Sequence, residues 1–172
     1  MKKNTKHTIF YCVDNDVMEL DFFRANFNPE LSFTLFTFNS VQMFTNKLKN
    51  DVKDKHYKIV IIDNIISSRG MNTKTALELL PAIKSIDKEI QVIIFADSEN
   101  IELKATTSKL KPAAFIKKDS QYFVRLYPLI SRLISEYDLR KKTKSGKITT
   151  YSVIIICFLA IVVFIIGYFF YW

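Results

Sequence analysis

The chain has 172 residues, 49% of them apolar, and carries 25 Lys and Arg against 17 Asp and Glu, a net charge of +8. That length holds one domain of ordinary size plus a tail, and that apolar content excludes disorder over the whole chain. The basic excess admits a nucleic acid or an anionic membrane surface as partner, and the placement of the charge decides between them.

The start, "MKKNTKHTIFYCVDND", is basic, but its apolar run ends at Asp14, too early for the core of a signal peptide. Within it "TIFYCV" (8 to 13) predicts a first strand, and "VMELDFFRANF" after it has apolar residues at helical spacing. "LSFTLFTF" (31 to 38) alternates polar with apolar residues, as an edge strand does, and "VQMFTNKLKNDV" is again helical. "KIVII" (58 to 62) and "QVIIFA" (91 to 96) are apolar on both faces and predict central strands, with the helical "TKTALELLPAIKSI" between them. "NIELKATTSKL" predicts a helix, "AAFI" (113 to 116) a fifth strand, and "SQYFVRLYPLISRLISEYDL" a last amphipathic helix. Five β-α units in succession predict an α/β fold: a doubly wound five-stranded parallel sheet with helices on both faces.

"VIIICFLAIVVFIIGYFFYW" (153 to 172) then runs without a charge. As a helix it spans about 30 Å, the thickness of a bilayer core. Arg140, Lys141, Lys142, Lys144 and Lys147 flank it on one side and no charge on the other, so the positive-inside rule places the preceding domain in the cytoplasm, at the inner membrane if the cell is bacterial. "TKSGK" (143 to 147), where Gly146 is expected to interrupt the helix, marks the boundary. The expected organisation is a domain over 1–142, a basic and polar juxtamembrane linker over 143–150, and a single transmembrane helix over 151–172. The remaining basic residues are scattered among acids, with no basic and aromatic interleaving, so no nucleic-acid partner is expected. Cys12 and Cys157 are lone thiols inside apolar runs, read as buried small side chains. His7 and His56 are isolated and are assigned no metal role.

Asp63 follows directly on the third predicted strand. By itself an acid there is a turn or capping residue. In a parallel α/β sheet, however, ligands bind beyond the carboxyl ends of the strands. Those ends deliver Asp14, Asn15 and Asp16 from the first strand, Asp63 from the third, Ala96 from the fourth and Lys118 from the fifth.

With "YCVDND", "IVIIDNII", "VIIFAD" and "AAFIKKDS" in that order, residues 8 to 140 resemble the response-regulator receiver family. The resemblance implies a flavodoxin-like strand order of 2-1-3-4-5 and a phosphoryl group accepted on Asp63 from a histidine kinase or phosphotransfer protein. Lys118 would pair with the acyl phosphate, and Mg²⁺ would be held by Asp14, Asn15 and Asp63, with Asp16 as an alternative ligand. Output would pass through an unidentified partner protein. Two positions depart from the family's pattern at the site. Asn15 replaces the second metal-binding acid, and a neutral amide binds a hard cation less strongly than a carboxylate. Ala96 replaces the Ser or Thr whose hydroxyl grips the phosphoryl oxygens, with Ser98 two residues on. The switch aromatic is Phe115, which has no phenol. A degenerate receiver, serving as a phosphorylation-independent interaction module at the membrane, is the alternative. A more remote one is a haloacid-dehalogenase-like phosphatase, because "DNDV" matches its DxD signature with Asp14 as nucleophile and Asp16 as acid/base.

Overall fold

A computed structural model describes residues 7–30, 32–66, 74–96 and 111–171, with the backbone alone for Lys74 and for most residues from 144 onward. The predicted helix over 100–110 and Ser98 lie outside the described residues. In chain order the elements are β1 (Thr8–Val13), α1 (Val17–Asn26), β2 (Phe33–Phe38), α2 (Val41–Asn50), β3 (Tyr57–Asp63), β4 (Ile65–Ile66), β5 (Lys74–Thr75), α3 (Ala76–Ile86), β6 (Gln91–Ala96), β7 (Ala114–Lys117) and α4 (Tyr122–Tyr171).

β2, β1, β3, β6 and β7 form one sheet in that order, and every neighbouring pair is parallel. This differs slightly from the expected order. The five long strands follow it, but β4 and β5 intervene as a separate antiparallel pair, so the expected fourth and fifth strands are β6 and β7. Two-residue strands are too short to leave a periodic signal in sequence.

Side-chain alternation divides each strand between two cores. Ile9, Tyr11 and Val13 of β1, Val60 and Ile62 of β3, and Val92 and Ile94 of β6 pack with Phe44 and Leu48 of α2 and Leu80 and Ile83 of α3. The opposite face is aromatic. Phe10 meets Phe27 just past α1, and Phe95 meets Phe23 of α1 and Tyr122 at the start of α4. Helices therefore cover both faces of the sheet. All six residues of β2 are half-buried, as its alternating sequence and edge position require, whereas Ile59 to Ile62 of β3 are fully buried. Each such aliphatic side chain contributes roughly 1.5–3 kcal/mol by leaving water.

The chain divides into two compact units, one ending at Ile130 and one beginning at Ser131. The first contains the sheet and the candidate site. α4 spans 50 residues, and its helical backbone continues through Gly146, where an interruption was expected. One glycine disfavours a helix by only about 1 kcal/mol, too little to stop a long one. Among the described residues no helix is long and apolar enough to cross a membrane. The side chains of 153–172 fall outside that description except for Phe158, Ile165 and Ile166, which are exposed.

Candidate functional site

The carboxyl ends of β1, β3, β6 and β7 bring the expected residues to one edge of the sheet. Beyond β1 the Asp14 amide donates to the carbonyl of Phe38 at 3.1 Å, which extends the parallel pairing by one residue and holds its side chain where only 6% of the residue is exposed. A carboxylate so buried needs partners. Its Oδ1 accepts from the Asp16 amide at 2.9 Å, and its Oδ2 accepts from Lys118 Nζ at 2.7 Å.

Asp16 is differently employed. It is the N-cap of α1, and its Oδ1 accepts from the Met18 amide at 2.8 Å, so its carboxylate serves the helix terminus. Asn15 donates from Nδ2 to the Ile65 carbonyl at 3.1 Å, tying the β1–α1 loop to the segment after β3. Its Oδ1 is buried and has no hydrogen-bond partner among the described residues. An unsatisfied buried acceptor costs about 1–3 kcal/mol, which marks a position with spare capacity for a donor or cation.

Asp63 closes β3 opposite Phe95 and is half-buried. The next residue fixes the chain from both sides: the Asn64 amide donates to the Phe95 carbonyl at 2.9 Å, and the Asn64 carbonyl accepts from the Ala76 amide at 2.9 Å. Lys118, immediately after β7, places Nζ 3.9 Å from Asp63 Oδ1 and 3.9 Å from Glu19 Oε2, besides its hydrogen bond to Asp14. Burial works to lower the ammonium's pKa, but the hydrogen bond and charge of Asp14, with the charges of Asp63 and Glu19, outweigh it and hold Lys118 above the ordinary lysine value. Behind Asp14, burial pushes the Cys12 thiol far up, so it stays protonated and unreactive.

Ala96 ends β6 opposite Lys117 and is 7% exposed. Phe115 pairs with Ile94 and packs, half-buried, against the core on the α2 and α3 side. Glu19 is the site residue that sequence reasoning missed. As the third residue of α1, three positions after Asp16, it reads as part of an ordinary helix start, and only the fold brings it to Lys118.

Among the described residues no group of three or more His, Cys, Asp and Glu side chains is arranged to hold a metal ion. A divalent cation at this edge would instead draw on the carboxylates of Asp14 and Asp63 and on the partnerless amide oxygen of Asn15. This all-oxygen set fits Mg²⁺ in type, with one neutral donor and with Asp14 already engaged by Lys118.

No family model and no curated protein matches the chain. Among solved structures it is similar to the Legionella pneumophila response regulator LqsR, with a TM-score of 0.54 and 19% identity over 77% of this chain. It spans 45% of that regulator's length. It is also similar to a fusion carrying the yeast Spc42 trimeric coiled coil, with a TM-score of 0.57 and 12% identity over 92% of this chain and 94% of that one. At these identities the likeness is one of fold, and the fold of the sheet-bearing unit is receiver-like.

Proposed function

We propose that the chain is a membrane-tethered, receiver-like signalling domain that accepts a phosphoryl group on Asp63 and acts through a partner protein. The observation that carries this reading is the convergence at one sheet edge: a buried Asp14, the strand-end Asp63, and Lys118 reaching both, with Nζ at 2.7 Å and 3.9 Å. In the transfer, an Asp63 oxygen forms the new bond to phosphorus as the bond to the donor's histidine nitrogen breaks. Lys118 is positioned to neutralise charge on the transferred oxygens, and its partners keep it protonated. Bound Mg²⁺, held by Asp14, Asp63 and Asn15, would supply the second positive charge that such a transfer needs. The phosphoryl donor would be a histidine kinase or phosphotransfer protein. Residues 151–172 would anchor the domain, because twenty charge-free residues over 153–172 follow a basic flank.

A second reading, a degenerate receiver that works as an interaction module without phosphorylation, is favoured by two particulars. Ala96 has no hydroxyl at the end of β6, and Asn15, tied to the Ile65 carbonyl through its amide nitrogen, has only a neutral oxygen to offer a cation. Labelling with acetyl phosphate in the presence of Mg²⁺ separates the readings. The proposal expects an acid-stable, alkali-labile acyl phosphate on the wild type and none on Asp63→Asn. No labelling of a folded wild type supports the degenerate module. Labelling that survives in Asp63→Asn but is lost in Asp14→Asn supports the phosphatase-like alternative.

A further inference from the structure

The strongest charge asymmetry of the chain lies in the second unit. Asp138 is the last acid in the sequence, and from Leu139 to Trp172 there are five cations and no acid. Arg140, Lys141 and Lys142 are exposed. Arg140 Nη2 stands 4.0 Å from Glu136, which Arg132 also approaches at 3.7 Å, and Lys141 lies over the Tyr137 ring at 5.7 Å. A solvent-exposed contact like that of Arg140 with Glu136 is worth little and leaves the guanidinium able to meet another anion.

The helical backbone through this stretch arranges the cations further. Arg140, Lys144 and Lys147 stand at i, i+4 and i+7, which places all three within an arc of about 60° on one face of the helix. Lys141 and Lys142 fall outside that arc. Gly146 does not break the helix, so the helical backbone that carries the stripe continues into the apolar run that begins at Val153.

We infer that Arg140, Lys144 and Lys147 form a docking stripe for anionic phospholipid headgroups. A row of cations with a single acid at its start, Glu136, which Arg132 shares, and none after Asp138, is complementary to a surface of lipid phosphates where it leads into an apolar run. This rests on the membrane reading above and adds to it a lipid preference: an anchor alone is satisfied by any bilayer, whereas the stripe selects anionic lipid.

The test uses the full chain reconstituted in vesicles of equal parts phosphatidylcholine and phosphatidylglycerol, then excised with its nearest lipids into polymer-bounded discs. The expected result is phosphatidylglycerol enriched about threefold over the bulk ratio, falling toward bulk in about 0.5 M salt. The triple variant Arg140→Gln/Lys144→Gln/Lys147→Gln should return the ratio to bulk, while Lys141→Gln/Lys142→Gln keeps most of the enrichment. A bulk ratio in the wild type, or an equal loss in both variants, overturns the stripe. A carbonate wash that strips the chain from the vesicles overturns the anchor instead. The stripe is then judged by flotation, and no preference for phosphatidylglycerol over phosphatidylcholine vesicles overturns it as well.

Discussion

Two lysines at opposite ends of the same sheet are held by acids in different ways. Near the start of β3, Lys58 has a side chain only 3% exposed, and its Nζ donates to the Asp54 carbonyl at 2.7 Å and to Asp87 at 3.0 Å. One cation meets one carboxylate and one carbonyl. Past the end of β7, Lys118 has three carboxylates within 4 Å among the described residues, of which it hydrogen-bonds Asp14, and Asn15, next to Asp14 in the chain, keeps a buried acceptor without a partner. Crowding three acids around a single ammonium does not maximise stability, and this is the edge on which the proposed phosphoryl site lies. The amino end is a closed structural pair, and the carboxyl end sets one ammonium among several acids.

Breaking the closed pair should have the largest effect. Lys58→Met leaves Asp87 without its ammonium and the Asp54 carbonyl without its donor, and should lower stability by about 3 kcal/mol in urea unfolding. A loss below about 1 kcal/mol would erase the contrast, since it would make the amino-end pair no tighter than a surface one.

Lys118→Met should lower stability by about 1–2 kcal/mol, because the Asp14 side chain, 9% exposed, loses its cationic partner and keeps the Asp16 amide, while Asp63 and Glu19 still reach water. The variant also tests the pH dependence. A lysine with its folded pKa raised contributes stability that is fully present below the unfolded value near 10.4 and lost as pH rises through the folded value. Wild type should therefore lose stability above about pH 10.4 more steeply than Lys118→Met, as thermal melts across that range would show.

Asn15→Asp should lower metal-free stability by about 1 kcal/mol, since it removes the bond to the Ile65 carbonyl and adds a carboxylate to an acidic edge. The same change should raise Mg²⁺ affinity about tenfold, measured by calorimetric titration, because the site gains a hard anionic ligand. Unchanged Mg²⁺ binding would mean that the β1–α1 loop contributes no ligand.

The smallest effect belongs to Glu19→Gln. With a side chain 41% exposed and 3.9 Å from Lys118, Glu19 should change stability by less than about 0.5 kcal/mol. A larger change would count it among the groups that hold Lys118 rather than those that surround it.

Much of this arrangement was legible in the sequence because it depends on strand order. Apolar runs located β1, β3 and β6, polar alternation located the edge strand β2, and the acids and lysine at their ends followed from the parallel topology. What was not legible depends on contacts across the fold. Asp16 offered as a metal ligand is occupied as a helix cap, and Glu19, hidden in a helix start, is the third acid around Lys118. The β4 and β5 pair consists of two residues on each side and leaves no period to detect. Gly146 reads in the sequence as a helix interruption because the local cost of a glycine is visible there and the length of the helix around it is not.

The proposed uptake of a phosphoryl group on Asp63 sets the carboxyl edge apart from an inert amino edge, and Mg²⁺ with beryllofluoride, added to the full chain in detergent micelles, probes both edges at once through their backbone amide signals. Shifts are expected at Asn15, Asp63, Asn64 and Lys118, with Lys58 and Asp87 unmoved, and those shifts should be lost in Asp63→Asn. Signals that stay in place at both edges, or shifts that persist in Asp63→Asn, would contradict phosphoryl uptake on Asp63.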